Sequence, residues 1–398
     1  MKLKLTDLNL KNKKVLMRVD FNVPLNNKQE ITDDTRIRLT LPSINYILSQ
    51  GASLVLMSHL GRPKGRQQEK YSLSPVAKAL SKLLGQEVAL APDSIGQDVL
   101  DLAEKLRPGQ VLLLENLRFH RAEEKPGNDP SFAEQLSRFG DIFINDAFGA
   151  CHREHSSITS ITRYFPKASA MGFLLKREIE NLSPLINDPP RPFSAIFGGA
   201  KISTKIGLLK ELIQKVDEIF IGGGLLFTFL KAKGQKIGRS LFDEGSLSVA
   251  ADFIKTCENL NIRLHFPSDL LIANEISESA ELKVISGSET IPDNFFGVDI
   301  GPKTLSDWEP LLQQSKTLFW NGPMGIFEIP SFSKGTFELA KLLSHVEGNT
   351  IIGGGDSLSA IHQLGIQDMF THLSTGGGAS LEFIEKGHLP GIDHLSNR

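Results

Sequence analysis

The sequence predicts an α/β protein built on open, doubly wound, mainly parallel sheets, and two observations carry that expectation. Short runs of Val, Ile, Leu and Phe recur along the whole chain, and longer segments with apolar residues at helical spacing separate them. Runs without polar alternation suit parallel strands covered on both faces. A length of 398 residues, set against roughly 150 per domain, gives two or three domains.

Each element follows from the same pattern. In the first half, strands are expected at 15–19, 53–57, 111–114 and 141–144; in the second, at 193–197, 218–221, 262–266, 316–320, 349–352 and 369–373. Helical spacing is clear over 75–84, where Val76, Ala79, Leu80 and Leu83 share a face, and over 201–216, where Ile202, Ile206, Leu209 and Ile213 do. A domain boundary is expected over 172–191, where a helix-like stretch runs into Asn187-Asp-Pro-Pro-Arg-Pro192, whose prolines cannot continue it.

Composition narrows the function classes. Hydrophobic residues make up 40% and charged residues 23%, so large cores are affordable and disorder is not expected. The net charge of −2 lacks the basic excess of a nucleic-acid binder. The two cysteines, Cys151 and Cys257, are too few and too far apart for a disulfide framework or a four-ligand zinc site. The amino terminus shows no signal-peptide pattern, and the longest apolar tract, 219–230, falls short of the ~20 residues that span a bilayer. A cytoplasmic protein, with no nucleic acid or membrane as partner, is the expectation.

In open α/β sheets, ligands sit beyond the carboxyl ends of the strands. First-half strands lead into polar and basic loops: Asp20-Phe21-Asn22, Ser58-His59-Leu60-Gly61-Arg62, Glu115-Asn-Leu-Arg118-Phe-His120 and Asp146 through His152-Arg153. Arginine forks there suit phosphate or carboxylate. Second-half strands lead into glycine loops: Gly198-Gly199-Ala200-Lys201, Gly222-Gly223-Gly224, Asn321-Gly-Pro323, Gly353-Gly354-Gly355-Asp356 and Gly376-Gly377-Gly378. Several open helices, whose first amides attract anions. One half is thus suited to a small anion and the other to a nucleotide.

Singly, each feature has a plainer explanation. A lone glycine triplet is usually a turn; three placed directly after strands argue otherwise. Asp20 and Asn22 would serve an Asx-turn, and Arg36 and Arg38 a solvated helix start balancing Asp33 and Asp34. His59 and His120 are individually weak signals. His152 and His155 lack a third metal ligand nearby. Lys201 and Lys205, four apart, are expected on one side of a first helical turn, where mutual repulsion argues against a purely structural role. The P-loop pattern, the dinucleotide fingerprint GxGxxG and the protein-kinase motifs are all absent.

Taken in order, the motifs resemble those of the phosphoglycerate kinase family over nearly the whole chain. They are Arg18-Val-Asp-Phe-Asn-Val-Pro24, Ser58-His-Leu-Gly-Arg-Pro63, Glu115-Asn-Leu-Arg-Phe-His120, Asp146-Ala-Phe-Gly149 with His152-Arg153, and Gly198-Gly-Ala-Lys201. Then follow Ile221-Gly-Gly-Gly224, Asp299-Ile-Gly-Pro302, Trp320-Asn-Gly-Pro-Met-Gly-Ile-Phe-Glu328, Gly353-Gly-Gly-Asp-Ser357 and Ser374-Thr-Gly-Gly-Gly-Ala-Ser380.

The resemblance implies reversible phosphoryl transfer between 1,3-bisphosphoglycerate and ADP, with Mg²⁺ on the nucleotide, in a monomer. It implies two Rossmann-like three-layer domains facing a central cleft: 1–171 for the glycerate, 192–384 for the nucleotide, a helix and hinge at 172–191, and a tail, 385–398, returning to the first domain. By position, Asp20, Phe21, Asn22, Arg36, His59, Leu60, Gly61, Arg62, Arg118 and Arg153 would hold the glycerate. Lys201 and Lys205 would meet the nucleotide phosphates, with Gly199, Ala200, Gly222, Gly223, Gly224, Asn321 and Pro323 around the nucleotide and Glu328 at the ribose. Gly354, Gly355 and Ser357 would offer amides, Asp356 would hold Mg²⁺, and Gly376–Gly378 would face the group in transit. Catalysis would rest on Arg36, Lys201, Gly355 and Gly378, and hinge closure would bring the ligands together. A nicotinamide-dependent dehydrogenase and a non-enzymatic nucleotide-binding protein are the weaker alternatives; the first lacks its fingerprint and the second would bind without turnover.

Overall fold

The structure, a computed structural model, describes residues 1–398. It divides into two compact units: Met1–Glu180 with His388–Arg398, and Asn181–Gly387. The division falls within the helix Phe173–Ile186, which ends before the proline-rich stretch.

In the first unit, six strands form one sheet: β1 (Lys14–Arg18), β2 (Ser53–Met57), β3 (Val88–Leu90), β4 (Val111–Leu113), β5 (Ile142–Asn145) and β6 (Ser169–Met171), in the order β3-β4-β2-β1-β5-β6. Every pairing is parallel. The central strand β2 is buried at all five positions, as its unbroken apolar run requires. Val15, Met17, Leu54 and Leu56 meet Ile37, Ile44 and Leu80 from the covering helices Thr35–Ser49 and Ser74–Leu84. The last residues return to this unit, where Leu3 N–H donates to Ser396 O at 2.8 Å and Asn145 Nδ2 to Gly391 O at 3.0 Å.

The second unit holds β7 (Phe193–Phe197), β8 (Glu218–Ile221), β9 (Arg263–His265), β10 (Asp269–Ala273), β11 (Leu282–Ser286), β12 (Phe296–Ile300), β13 (Thr317–Asn321), β14 (Asn349–Gly353) and β15 (His372–Leu373). Six of them make a parallel sheet in the order β15-β14-β13-β7-β8-β9, so the chain winds outward from β7, then restarts at β13 in the other direction. Between the halves, β10, β11 and β12 form a separate antiparallel sheet. Ile196, Phe220, Leu318 and Trp320 pack with Trp308 and Leu339 in the core.

The α/β class and the parallel sheets agree with the sequence. The antiparallel sheet was not expected: β11 is almost wholly exposed and carries no continuous apolar signal, and the short, largely buried runs of β10 and β12 were not read as strands. The short strands β3 and β6 were also missed, having three residues each. At the carboxyl end, only His372–Leu373 pairs; Gln367–Met369 forms a 3₁₀ turn that leaves Met369 in solvent.

Gly140, just before β5, shows how closely this unit is packed. A Cβ there would lie 2.8 Å from the backbone nitrogen of Leu16. We expect Gly140→Ala to cost about 1–3 kcal/mol through overpacking, read as a lower urea midpoint. An unchanged midpoint would refute it.

Candidate active site

In the first unit the strand order reverses at β1, so the chain leaves β1 and β5 in different directions and their following loops diverge. Asp20 stands at this point. Its carboxylate accepts from Arg36 Nη1 at 2.7 Å and from Asn22 N–H at 3.3 Å, and His59 Nδ1 lies 3.8 Å away. Burial opposes ionisation of Asp20, but His59, Arg36 and Arg18 outweigh it and hold the carboxyl below its usual range.

The two arginines of the first long helix separate. Arg38 pairs with Asp34 at 2.8 Å in solvent, whereas Arg36 turns to Asp20. The balancing helix start suggested by the sequence therefore describes Arg38 alone.

Beneath Asp20 lies Arg18, fully buried. Its guanidinium donates to Ser157 Oγ at 2.9 Å, to Val19 O and to His59 Nδ1 at 3.1 Å, with Glu123 Oε1 at 3.9 Å. A guanidinium only donates, so Nδ1 of His59 accepts and the ring proton belongs on Nε2. Burial pushes His59 well below its ordinary value, with Asp20 pulling the other way and Arg18 and Arg118 adding to the depression. His59 is therefore a neutral donor near pH 7.

The remaining loops lock together through backbone. Phe21 N–H donates to Ser58 Oγ at 2.9 Å, Gly61 N–H to Asn22 Oδ1 at 2.8 Å, and Arg118 Nη1 to Gly61 O at 2.9 Å. Gly61 has φ +59°, and a Cβ would strike the Tyr71 ring at 2.4 Å, so glycine is required. Arg62 and Arg153 are exposed. Buried His155, drawn down to about 3 by burial and then by Arg18, Arg118 and Arg153, registers how near these cations stand. The surface is cationic and small.

In the second unit the reversal falls between β7 and β13. Their loops bind one another: Gly198 N–H donates to Asn321 O at 3.0 Å and Gly199 N–H to Pro323 O at 2.9 Å. Buried Trp320 donates its indole N–H to Gly322 O at 2.8 Å. Gly223, at φ +63°, comes so close that a Cβ would sit 2.5 Å from Gly199 N. Beside this crossing lies a pocket of about 260 Å³ lined by Gly199, Ala200, Gly223, Gly224, Pro323, Glu328 and Asp356.

Its apolar wall was not expected: Leu226, Phe227, Val298 and Met324 line it too, with Gly297 and Asp299 from β12. Leu226, Phe227 and Val298 look like ordinary core in sequence, whereas Met324 and Asp299 stand in motifs that were not assigned to the pocket. Asp299 accepts from Gly335 N–H at 2.7 Å, and burial raises it to about 7.

Other expected residues lie outside the lining. Gly222 sits under Met324, whose Sδ a Cβ would meet at 2.5 Å. Gly355 and Gly378 each open a helix, Gly355–Leu364 and Gly378–Lys386, and nothing lies within 4 Å of a Cβ built at Gly355. Gly354, at φ +93°, caps the first of these. Ser357 Oγ accepts from Gly322 N–H at 2.8 Å, so its hydroxyl oxygen is engaged by the loop.

Lys201 and Lys205 correct the sequence picture. They do not share a helical turn: Lys201 is extended, Ile202–Thr204 forms a 3₁₀ turn, and the helix starts at Ile206. Thr204 Oγ1 donates to Lys201 O at 2.8 Å, a local side-chain bond that competes with the helix. Lys201 is exposed, whereas Lys205 is half-buried against Asn321 Oδ1. Burial lowers Lys205 to about 8 against the pull of Asp356.

Comparison with known proteins accords with this geometry. The family model described as phosphoglycerate kinase matches residues 5–387. The phosphoglycerate kinase of Moorella thermoacetica is 48% identical over 397 residues, covering 100% of both chains. The cytosolic phosphoglycerate kinase of Triticum aestivum is 46% identical, covering 98% of this chain and 96% of its own. The solved phosphoglycerate kinase of Coxiella burnetii superposes with a TM-score of 0.88 at 39% identity, over 99% of each chain. Neither alternative weighed from the sequence gains support. Motifs, twin parallel sheets, full-length relatives and a matching solved fold thus agree that the chain belongs to the phosphoglycerate kinase family.

Proposed function

We propose that the chain moves a phosphoryl group reversibly between 1,3-bisphosphoglycerate and ADP by direct in-line transfer, with the glycerate on the first unit and the nucleotide on the second. One observation carries the assignment of ligands to units. The loops at the first reversal converge two cations, Arg36 and Arg118, and the neutral donor His59 around Asp20, whereas those at the second surround an apolar pocket with glycine backbone.

The cationic loops suit a small phosphorylated carboxylate, gripped by arginine forks. The pocket suits a purine, with Glu328 exposed at its rim for ribose hydroxyls. Toward the phosphates stand Lys205, Lys201 and the amides that open the helices at Gly355 and Gly378. Asp356 fits Mg²⁺: it is an exposed carboxylate on the pocket wall with no ion pair of its own, and one such oxygen suffices when substrate phosphates supply others. When bound, the ion offsets phosphate charge.

No general base is needed, because substrate carboxylate and nucleotide phosphate are both ionised at pH 7. What remains for the protein is to hold donor and acceptor in line and to cancel charge on the moving group. Arg36 supplies a cation from the glycerate side and Lys201 one from the nucleotide side. The cytosolic wheat relative, together with the lack of any helix long and apolar enough to cross a membrane, supports a cytoplasmic setting.

We expect Arg36→Ala or Lys201→Ala to lower kcat at least ~100-fold, the scale of one preorganised charge contact. A variant that keeps more than about a tenth of parental kcat would reject its role.

Lys205 gives a pH signature. Its charge is present below about 8 and lost above, while the nucleotide phosphates are already ionised at pH 7. ADP binding by calorimetry is therefore expected to weaken about tenfold from pH 7 to 9, and in Lys205→Arg to stay flat. A flat parental profile would contradict it.

Because the two sets of ligand groups belong to separate units, transfer calls for closure. Small-angle scattering is expected to show a smaller radius of gyration with 3-phosphoglycerate and MgATP together than with either alone. An unchanged radius refutes closure.

A further inference from the structure

We infer that Asn116, supported by Glu115, is a positioning residue of the glycerate site; the inference rests on the assignment of that site proposed above. Asn116 is fully buried and touches none of the groups assigned to the substrate through its own charge, for it has none. Its carboxamide nevertheless fills all its bonding positions with backbone from the site loops. Nδ2 donates to Leu60 O at 2.8 Å and Tyr71 O at 2.9 Å, and Oδ1 accepts from Leu60 N–H at 3.2 Å and Arg118 N–H at 3.1 Å. Two partners are obligate acceptors and two obligate donors, so only an amide in this orientation satisfies them.

Glu115 extends the clamp. Oε1 accepts from Leu73 N–H and Asn116 N–H, each at 2.8 Å, and Oε2 from Ser72 Oγ at 2.7 Å. The segment that carries Gly61 and Arg62 is therefore pinned at Leu60 on one side and at Tyr71 to Leu73 on the other, both to the turn that presents Arg118. Arg118 reaches back to Gly61 O at 2.9 Å, closing the ring. Without the clamp, Arg62 and Arg118 keep their charges and His59 its donor, but all three lose their fixed spacing, and a substrate held at several points pays for that loss in affinity.

The experiment measures KM for 3-phosphoglycerate and for MgATP in Asn116→Asp, Glu115→Gln and Arg118→Ala full-length enzyme at 25 °C, with thermal midpoints alongside. Asn116→Asp keeps the shape and removes both donors. We expect it to raise KM for 3-phosphoglycerate about tenfold or more, with KM for MgATP unchanged within about twofold. Glu115→Gln, the milder change, is expected to move the same constant about threefold. A merely structural role would lower the thermal midpoint and the active fraction and leave both KM values in place, which overturns the inference. If Arg118→Ala raises KM for 3-phosphoglycerate while the other two do not, the site stands and the positioning role falls. If Arg118→Ala leaves it unmoved, the site assignment itself fails and takes the inference with it. Amide exchange in the parental protein gives a check that needs no variant: the Leu60 and Arg118 amides are expected to be strongly protected, and rapid exchange at both would overturn the clamp.

Discussion

Both large sheets contain parallel strands only, so each strand must be joined to the next by a crossover over one face or the other. Where successive crossovers depart in opposite directions, two adjacent strands lead into loops that part, and a space opens at their carboxyl ends. In the first unit that place lies at β1, and in the second between β7 and β13. The groups proposed for the two ligands gather at these two places, where the topology lets several loop ends converge without filling the space between them.

The two units furnish that space in opposite ways. At β1 it is lined with charge, and the charges are fixed by buried partners: Arg18 orients His59, Asp20 orients Arg36, and Asn116 fixes the backbone that carries the others. At β7 the loops bind each other through backbone and leave an apolar pocket whose polar contribution is amides and three carboxylates, Glu328 and Asp356 exposed at the edge and Asp299 buried. A small, highly charged ligand needs the first kind of wall. A ligand with a flat apolar end and a charged end needs the second, with its phosphates directed toward helix starts and lysines.

Much of this was legible in the sequence because buried parallel strands and the loops after them have distinct chemistry. The run Ser53–Met57 could only be a covered strand, and the arginine and glycine loops sorted themselves by half. Three things were hidden. The exposed strand β11 has no apolar run to detect, and β3 and β6 are too short to give one. The pocket's apolar wall is made of Leu226, Phe227 and Met324, which look like core because in part they are core. And the glycine loops carry a constraint beside the ligand approach expected of them, for sulfur or backbone presses on Gly222, Gly223 and Gly322. Asn116 was passed over for a related reason: its work is done on main chain, which the sequence does not display.

The presence of Asp20 within a cationic site follows from the same economy of charge. Arg36, Arg18 and Arg118 repel one another, and an unfilled cluster without an anion would be strained electrostatically. A carboxylate held below its usual range stays ionised, relieves that repulsion and fixes Arg36 at 2.7 Å. His59, kept neutral by burial, adds a donor without adding a charge. Glu123 does the same service for Arg18 from below, though burial raises its carboxyl. The proposed site thus holds its arginines in place without a bound anion, and exposed Arg62 and Arg153 leave it a surplus of cations suited to one.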